Sequence, residues 1–258
     1  MSNAASTTTT TTTNSTKPAS TAPSNSKKAV RERLEAIERT RQLRKKQAMW
    51  NTDGQPRNVL TTLAAPFLKF DRNDIEIDFY FTAPDDTTTW TPELSKWIFD
   101  ITKQNMEPLY NAAPDWGWKD SKKRSEIIDS DSRYIIARNR KDGTNVAFSS
   151  FRFLMEGVFD VLYVYELQLT PSVQRKGLGK HLMQMMEIIA KQCSMQFVML
   201  TVLKNNKPAF DFYLHKMKYS IDMTSPSMND ESAGHEILSK IVDKAAVQAI
   251  ENMVHNGV

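Results

Sequence analysis

Ile75, Ile77, Phe79 and Phe81 alternate with polar neighbours, the period-two pattern of a strand buried on one face. Thr91 and Pro92 follow as a helix N-cap and a proline at the first helical position, and Leu94, Trp97, Ile98 and Ile101 continue at helical spacing toward Tyr110. Pro114 ends that pattern. The compact block Trp116-Gly-Trp-Lys-Asp120 comes next, and a short charged helix is expected after it. Residues 134–138 and 146–153 read as strands joined at the turn signal Asp142-Gly143. Residues 161–169, rich in β-branched and aromatic side chains, form another strand that Pro171 closes. Leu178, Leu182, Met185, Met186 and Ile189 predict a helix over 177–193, whose methionines read as core filling. The almost wholly apolar run 197–203 reads as a central strand. A helix over 208–216, a strand over 219–223 and a last strand over 235–242 complete the series. Residues 51–75 read as a mixed connection, and no internal repeat is visible. The order β, α, a β meander, then β-α-β-α-β predicts one α/β domain with a mixed sheet covered by helices.

The N-terminal region does not share this patterning. Residues 1–28 are nearly all Ser, Thr, Asn, Ala and Pro, with too little apolar surface to offset the ordering entropy, so a disordered arm is expected. Over 29–49, Val30, Leu34 and Ile37 draw a short apolar stripe on a basic helix ending in Arg44-Lys45-Lys46. Such a helix can dock on the domain by that stripe, serve as a nuclear address, or touch nucleic acid or a ribosome. The predicted organisation is an arm at 1–28, the helix at 29–49, the domain at 50–242 and a tail at 243–258.

Charge sharpens the division. Residues 1–46 hold ten Lys/Arg against three Glu, whereas residues 47–258 hold 24 basic and 27 acidic residues. The domain is therefore mildly acidic and suits a cationic substrate better than a phosphate backbone. The single cysteine, Cys193, excludes a disulfide framework and a cysteine-built zinc site, and His181, His215 and His255 have no ligand spacing, so no metal is expected. No apolar run is long enough for a membrane helix and no secretion-signal core is present, which predicts a soluble, reducing compartment.

The most informative stretch is the strand ending Tyr163-Val-Tyr-Glu-Leu-Gln-Leu169, followed by Gln174-Arg-Lys-Gly-Leu-Gly-Lys180 opening a helix. Gly177 and Gly179 lack a Cβ and let an anion approach the main chain, the first helical N–H groups have no internal partner, and Arg175, Lys176 and Lys180 add positive charge. The spacing is neither that of a P-loop nor that of a dinucleotide fingerprint. By itself Q-x-x-G-x-G is equally a basic helix start with a glycine turn. Its place after an acid-bearing strand and before a helix and a central strand favours a pyrophosphate cradle.

On these residues the chain resembles the GNAT superfamily of acetyl-CoA-dependent N-acetyltransferases. Gln174-x-x-Gly177-x-Gly179 is similar to its cofactor motif, and Asn206 with Ala209-Phe210-x-Phe212-Tyr213 is similar to its second cofactor element. Trp116–Asp120, Tyr163–Leu169, Arg175–Lys180, Val198–Val202 and Ser225–Met228 further resemble the type D branch of N-terminal acetyltransferases. The resemblance implies a single GNAT-fold domain, acetyl-CoA as co-substrate and histone N-termini beginning Ser-Gly-Arg-Gly as acceptors. It implies a splayed strand whose Leu167, Gln168 and Leu169 meet the coenzyme, together with the cradle Gln174, Arg175, Lys176, Gly177, Leu178, Gly179 and Lys180, and Asn206. Glu166 is then the general base, against the plainer reading of a salt-bridged structural Glu. A bulge at the splay would change which face of the strand Glu166 shares with Tyr163 and Tyr165.

The resemblance also places Tyr110, Trp116, Tyr165 and Thr201 around the peptide, with Glu156 receiving its arginine and Tyr163 in packing. A wholly buried Trp116 is the alternative to its walling a groove. A family Asp is Leu154 here and a family peptide-binding Tyr is His235. Acetylation of lysine or a small amine is the alternative activity, and a non-catalytic acetyl-CoA- or ribosome-binding adaptor using the basic helix is a reading from another class. A monomer in cytoplasm and nucleus, without membrane contact, is the corresponding expectation.

Overall fold

The computed structural model describes residues 57–113 and 116–255, together with Arg31, Glu38 and Gln42. The expected arm at 1–28, Pro114 and most of the basic helix at 29–49 lie outside the described residues. Residues 1–39 and 40–258 form separate units, and the domain lies in the second.

One eight-stranded sheet carries the domain, in the order β1-β2-β3-β4-β5-β6-β8-β7. Its strands are β1 (Lys69–Arg72), β2 (Ile75–Thr82), β3 (Arg133–Asn139), β4 (Asn145–Glu156), β5 (Phe159–Leu169), β6 (Phe197–Leu203), β7 (Ser220–Ile221) and β8 (His235–Ile241). Neighbours are antiparallel except β5 and β6, which run parallel. A parallel pair needs a crossover, and the helix after the glycines provides it. The helices are α1 (Pro92–Ala112), α2 (Asp120–Ile127), α3 (Leu178–Gln192), α4 (Lys207–Asp211) and α5 (Lys244–His255). Thr91 caps α1 by accepting from the Leu94 amide, as its place before Pro92 predicts.

Alternation along the strands fills two cores. Ile135, Ala137, Phe151 and Phe153 pack with Leu178, Leu182, Met185, Met186 and Ile189 of α3. Tyr134, Ile136 and Phe148 pack on the other side with Leu94, Ile98 and Ile101 of α1 and Ile127 of α2. The sheet is therefore a middle layer covered on both faces, which is why β3 reads as a nearly continuous buried run.

Several local features depart from the sequence reading. Residues 51–75 hold two short 3-10 turns and β1, which pairs with β2 through the two-residue turn Asn73-Asp74, both at positive φ. Asn and Asp tolerate that conformation, but β1 has a single buried residue, Phe70, and so no alternation to detect. The helix expected over 208–216 begins as α4 and closes as a π-turn, Phe212–Lys216. The strand expected over 219–223 shrinks to Ser220–Ile221 at the sheet edge, and the expected tail contains α5. Among the described residues, no helix is long and apolar enough to cross a membrane.

Candidate active site

The site begins where two strands separate. β5 and β6 pair from Val161–Phe197 to Val164–Leu200 and no further. β6 continues to Leu203 against β8, while β5 continues to Leu169 against β4 alone. A bulge marks the divergence. Phe151 of β4 faces Val164 and the next residue, Ser150, faces Glu166, so Tyr165 is the extra residue on β5. Strict alternation would set Glu166 on the face opposite Tyr163; with the bulge, Tyr163, Tyr165 and Glu166 all line one cleft of about 760 Å³. Tyr110, Trp116, Glu156, Leu167, Gln168, Thr201 and Asn206 line it as well.

Glu166 is the hub of a buried network. Its Oε1 accepts from Lys123 Nζ at 2.9 Å, and its Oε2 accepts from Gln168 Nε2 at 2.7 Å. The two side chains of the ion pair are only 10% (Lys123) and 11% (Glu166) exposed. Asn105 Nδ2 donates to Gln168 Oε1 at 2.9 Å and to the Leu169 carbonyl at 3.3 Å. Lys123 also meets Glu126 at 2.7 Å and lies over the rings of Tyr110 and Trp118, 5.5 and 6.0 Å from their centroids. Burial by itself would favour loss of the Lys123 proton. Glu166, Tyr110 and Glu126 outweigh it and hold the ammonium well above the usual lysine range. Burial first, and then the Glu166 carboxylate, push the Tyr110 phenol up to about 12.

Aromatic rings form the walls. Tyr110 packs edge-on against Trp116 and Trp118, at centroid distances of 5.0 and 5.7 Å. Trp116 is half-buried and lines the cleft rather than sitting in either core. His235 is not among the lining residues: its Nδ1 accepts from Trp116 Nε1 at 3.3 Å, so it touches the cleft through that ring. Tyr165 is 41% exposed, packs at a tilt with its ring centroid 5.3 Å from that of Tyr163 and carries the Arg152 guanidinium 4.5 Å from its centroid. Tyr163, expected in packing, reaches the cleft and bonds its hydroxyl to Thr201 Oγ1 at 2.5 Å. Glu156 stands at the end of β4, and Leu154 also lines the cleft. Asn206 caps α4, accepting from the Ala209 amide.

The glycine turn lies at the far end of β5. Gly177, at φ +90°, is the N-cap of α3, and no side chain caps the helix. The first hydrogen bond into the helix runs from the His181 amide to the Gly177 carbonyl. The amides of Leu178, Gly179 and Lys180 thus have no acceptor within the helix. Gln174, Arg175 and Lys180 are exposed, whereas the Leu178 side chain is fully buried and leaves only its main chain available. A Cβ at Gly179 would meet Leu169 and Phe212 at 3.8–3.9 Å, which is ordinary van der Waals contact. On the other side of the turn, Lys176, Gly177 and Lys180 line a second cavity of about 400 Å³ with Phe67, Phe70 and Arg72. The Leu169 carbonyl is occupied by Asn105 and by Gln174 Nε2 at 3.0 Å, and the bond from the Thr170 amide to Val146 turns the Gln168 main chain toward β4, so Leu167 presents the freer main chain.

The predicted catalytic and peptide residues therefore converge, apart from His235. The turn residues sit apart from them, linked by Leu169. Sequence reasoning missed Lys123, Glu126 and Asn105, which lie on helices; Lys123 and Asn105 reach β5 across 43 and 63 positions of chain. Tyr213, named from the sequence only within the second cofactor element, is buried in the π-turn yet lines the cleft. Among the described residues, no group of three or more His, Cys, Asp or Glu side chains could hold a metal ion.

Residues 98–219 match the model of the Acetyltransferase (GNAT) family. Three solved structures are similar to parts of this chain. A nourseothricin acetyltransferase is 22% identical, with 44% of this chain and 66% of that one covered and a TM-score of 0.37. The PaiA N-acetyltransferase of Thermoplasma acidophilum, solved with coenzyme A, is 18% identical over 64% of this chain and 98% of its own, with a TM-score of 0.46. NAA60 of Arabidopsis thaliana, solved with a bisubstrate analogue, is 11% identical over 64% of this chain and 99% of its own, with a TM-score of 0.45.

Proposed function

We propose, for a chain that carries a GNAT acetyltransferase domain, that it acetylates the N-terminal α-amine of a protein, with histone-type termini beginning Ser-Gly-Arg-Gly as acceptors and Glu166 as general base. The observation that carries this reading is the parting of β5 from β6 just after the bulge. It opens one cleft that holds a buried carboxylate at its centre and leads along β5 to an uncapped helix start flanked by cations.

Those residues fit acetyl-CoA. The diphosphate of the coenzyme would lie on the free amides of Leu178, Gly179 and Lys180, beside Arg175 and Lys176, and Leu167 would offer a main-chain edge to its arm. Acetyl-CoA supplies the acetyl group already activated as a thioester. What remains for the protein is to position an amine and remove its proton. An α-amine has an ordinary pKa of about 7.7–8.0, against about 10.4 for a lysine, so a carboxylate suffices near neutrality. Glu166 Oε1 or Oε2 takes that proton. The phenol of Tyr213, kept protonated chiefly by burial, lines the same cleft.

Tyr110, Trp116 and Tyr165 wall the peptide, and Glu156 offers a carboxylate to an arginine at the third position. A peptide beginning Ser-Gly-Arg-Gly, compared with the same peptide N-blocked but with its lysines intact, tests the reading. Acetyl transfer to the free terminus alone, located by mass spectrometry, supports it. Equal transfer to the blocked peptide refutes it in favour of lysine acetylation.

A further inference from the structure

Lys123 has no part in the chemistry described so far, yet it is among the most enclosed charges in the cleft. It lies on α2, in the hydrophilic stretch Asp120-Ser-Lys-Lys-Arg-Ser-Glu126, whose pattern gives no reason to bury any one lysine. The side chain turns inward all the same. Its ammonium sits between Glu166 Oε1 at 2.9 Å and Glu126 Oε2 at 2.7 Å, against the faces of Tyr110 and Trp118. Its neighbour Lys122 is solvated, with 76% of its side chain exposed. Burying an ammonium is costly unless charged and hydrogen-bonded partners repay it. Here the partners are the carboxylate placed to take a proton and a second carboxylate beside it.

We propose that Lys123 is a positioning residue for the transfer: it aims Glu166, supplies that carboxylate with a fixed counter-charge, and biases an amine docking beside it toward the neutral, nucleophilic form. The inference rests on the reading of Glu166 as the base. Aiming follows from the hydrogen bonds. Lys123 holds Oε1, while Gln168, itself held by Asn105, holds Oε2, so the carboxylate cannot rotate without breaking one contact. The counter-charge follows from distance. A cation at 2.9 Å from the carboxylate disfavours a second ammonium at the same place. That widens the pH range in which an uncharged amine faces the base.

The other groups facing Glu166 do not replace this charge. Glu126 of α2 is a like charge; Tyr110 of α1, Tyr134 of β3 and Tyr213 of the π-turn are phenols whose pKa values are all raised. Lys123 is thus the cation in contact with the carboxylate among the described residues. The assignment also separates two roles that a salt-bridged glutamate is usually forced to choose between. An ion pair can be structural or can serve a base. Here the pair opens onto the cleft, and its carboxylate is held from the β5 side by an independent chain of amides.

The test uses the whole chain. The pH dependence of kcat/KM is measured with a Ser-Gly-Arg-Gly peptide for wild type, Lys123→Met and Lys123→Arg. Lys123→Met is expected to move the acidic limb of the profile upward by about one to three pH units, as the docking amine loses an adjacent like charge. Lys123→Arg, which keeps the charge, is expected to leave the limb near wild type. A limb unmoved in Lys123→Met overturns the proposal, as does an equal shift in Lys123→Arg. Should Lys123→Met fail to fold, Glu126→Gln examines the same balance from the other side. Removing that carboxylate moves the limb down, and an upward or absent shift overturns the proposal. A wild type that acetylates no N-terminal peptide refutes the functional reading itself, whereas an active wild type with an unmoved limb in Lys123→Met refutes the role of Lys123 alone.

Discussion

Glu166→Gln keeps the shape of the side chain and removes its charge, and the network around it lets the consequences be worked out in advance. The amide has one acceptor and one donor where the carboxylate had two acceptors. With its oxygen on Lys123, its NH2 faces the NH2 of Gln168; turned over, it faces the ammonium. Gln168 can rotate by half a turn, but its NH2 then meets Asn105 Nδ2. Asn105 can rotate in turn, which gives up only its 3.3 Å bond to the Leu169 carbonyl, a group still served by Gln174. The conflict is thereby passed to the longest contact, at a cost of about 1 kcal/mol for one hydrogen bond. Lys123 keeps Glu126, so the loss of its second carboxylate is softened. A stability loss of about 1–3 kcal/mol is expected, lowering Tm by about 2–4 °C for each kcal/mol. Losing a general base costs about 10²–10⁴ in turnover, about 2.7–5.5 kcal/mol of barrier. Activity should therefore fall far more than folding explains. The assay is peptide turnover with acetyl-CoA, calorimetry for coenzyme affinity and a thermal melt on the same preparation. Turnover within about tenfold of wild type, in a protein that binds coenzyme normally, would remove Glu166 from the base role.

Other outcomes follow from the same geometry. Trp116→Ala removes one wall of the cleft and is expected to raise KM for the peptide about tenfold or more while leaving coenzyme affinity unchanged, measured by titrating each ligand separately. Charge reversal at Glu156 should raise KM for a peptide with Arg at its third position more than for one with Ala there; equal effects would show that Glu156 does not read the arginine. Gly177→Ala forces a Cβ into the left-handed region at φ +90° and should lower stability by about 1–2 kcal/mol in a denaturant titration. Gly179→Val, whose branches would grow toward Leu169 and Phe212, should fold but lose acetyl-CoA binding in calorimetry. Burial would push the Glu236 carboxyl up, but Ser225, Ser227 and Lys204 outweigh it and hold it below the usual range. Its contribution is therefore complete above the unfolded-state pKa and is lost as pH falls through the lower folded value. Unfolding across that acidic window should show a steeper loss in wild type than in Glu236→Gln.

The chain's own pattern determined most of the architecture. A period-two run marks β2, β-branched and aromatic side chains mark β5, helical spacing marks α1 and α3, and the order of elements implies a mixed sheet covered by helices. These are local signals, because which face of an element is apolar is written within that element. The glycine turn was legible for the same reason, since Gln174 to Lys180 are contiguous. Tertiary structure alone decided the rest. β1 has one buried residue and exists because β2 offers it an edge. The bulge at Tyr165, which turns Glu166 into the cleft, arises from pairing with β4 and cannot be read from the alternation of β5 by itself. Lys123 is the clearest case. In sequence it is one of five charges in eight residues of α2, and nothing nearby distinguishes it from Lys122. Its partner Glu166 lies 43 positions away, and only when α2 packs over the open end of β5 does burial make one of those lysines pair with one carboxylate. Charge compensation in a buried site is a property of the assembled surroundings, so it leaves no periodicity in the sequence.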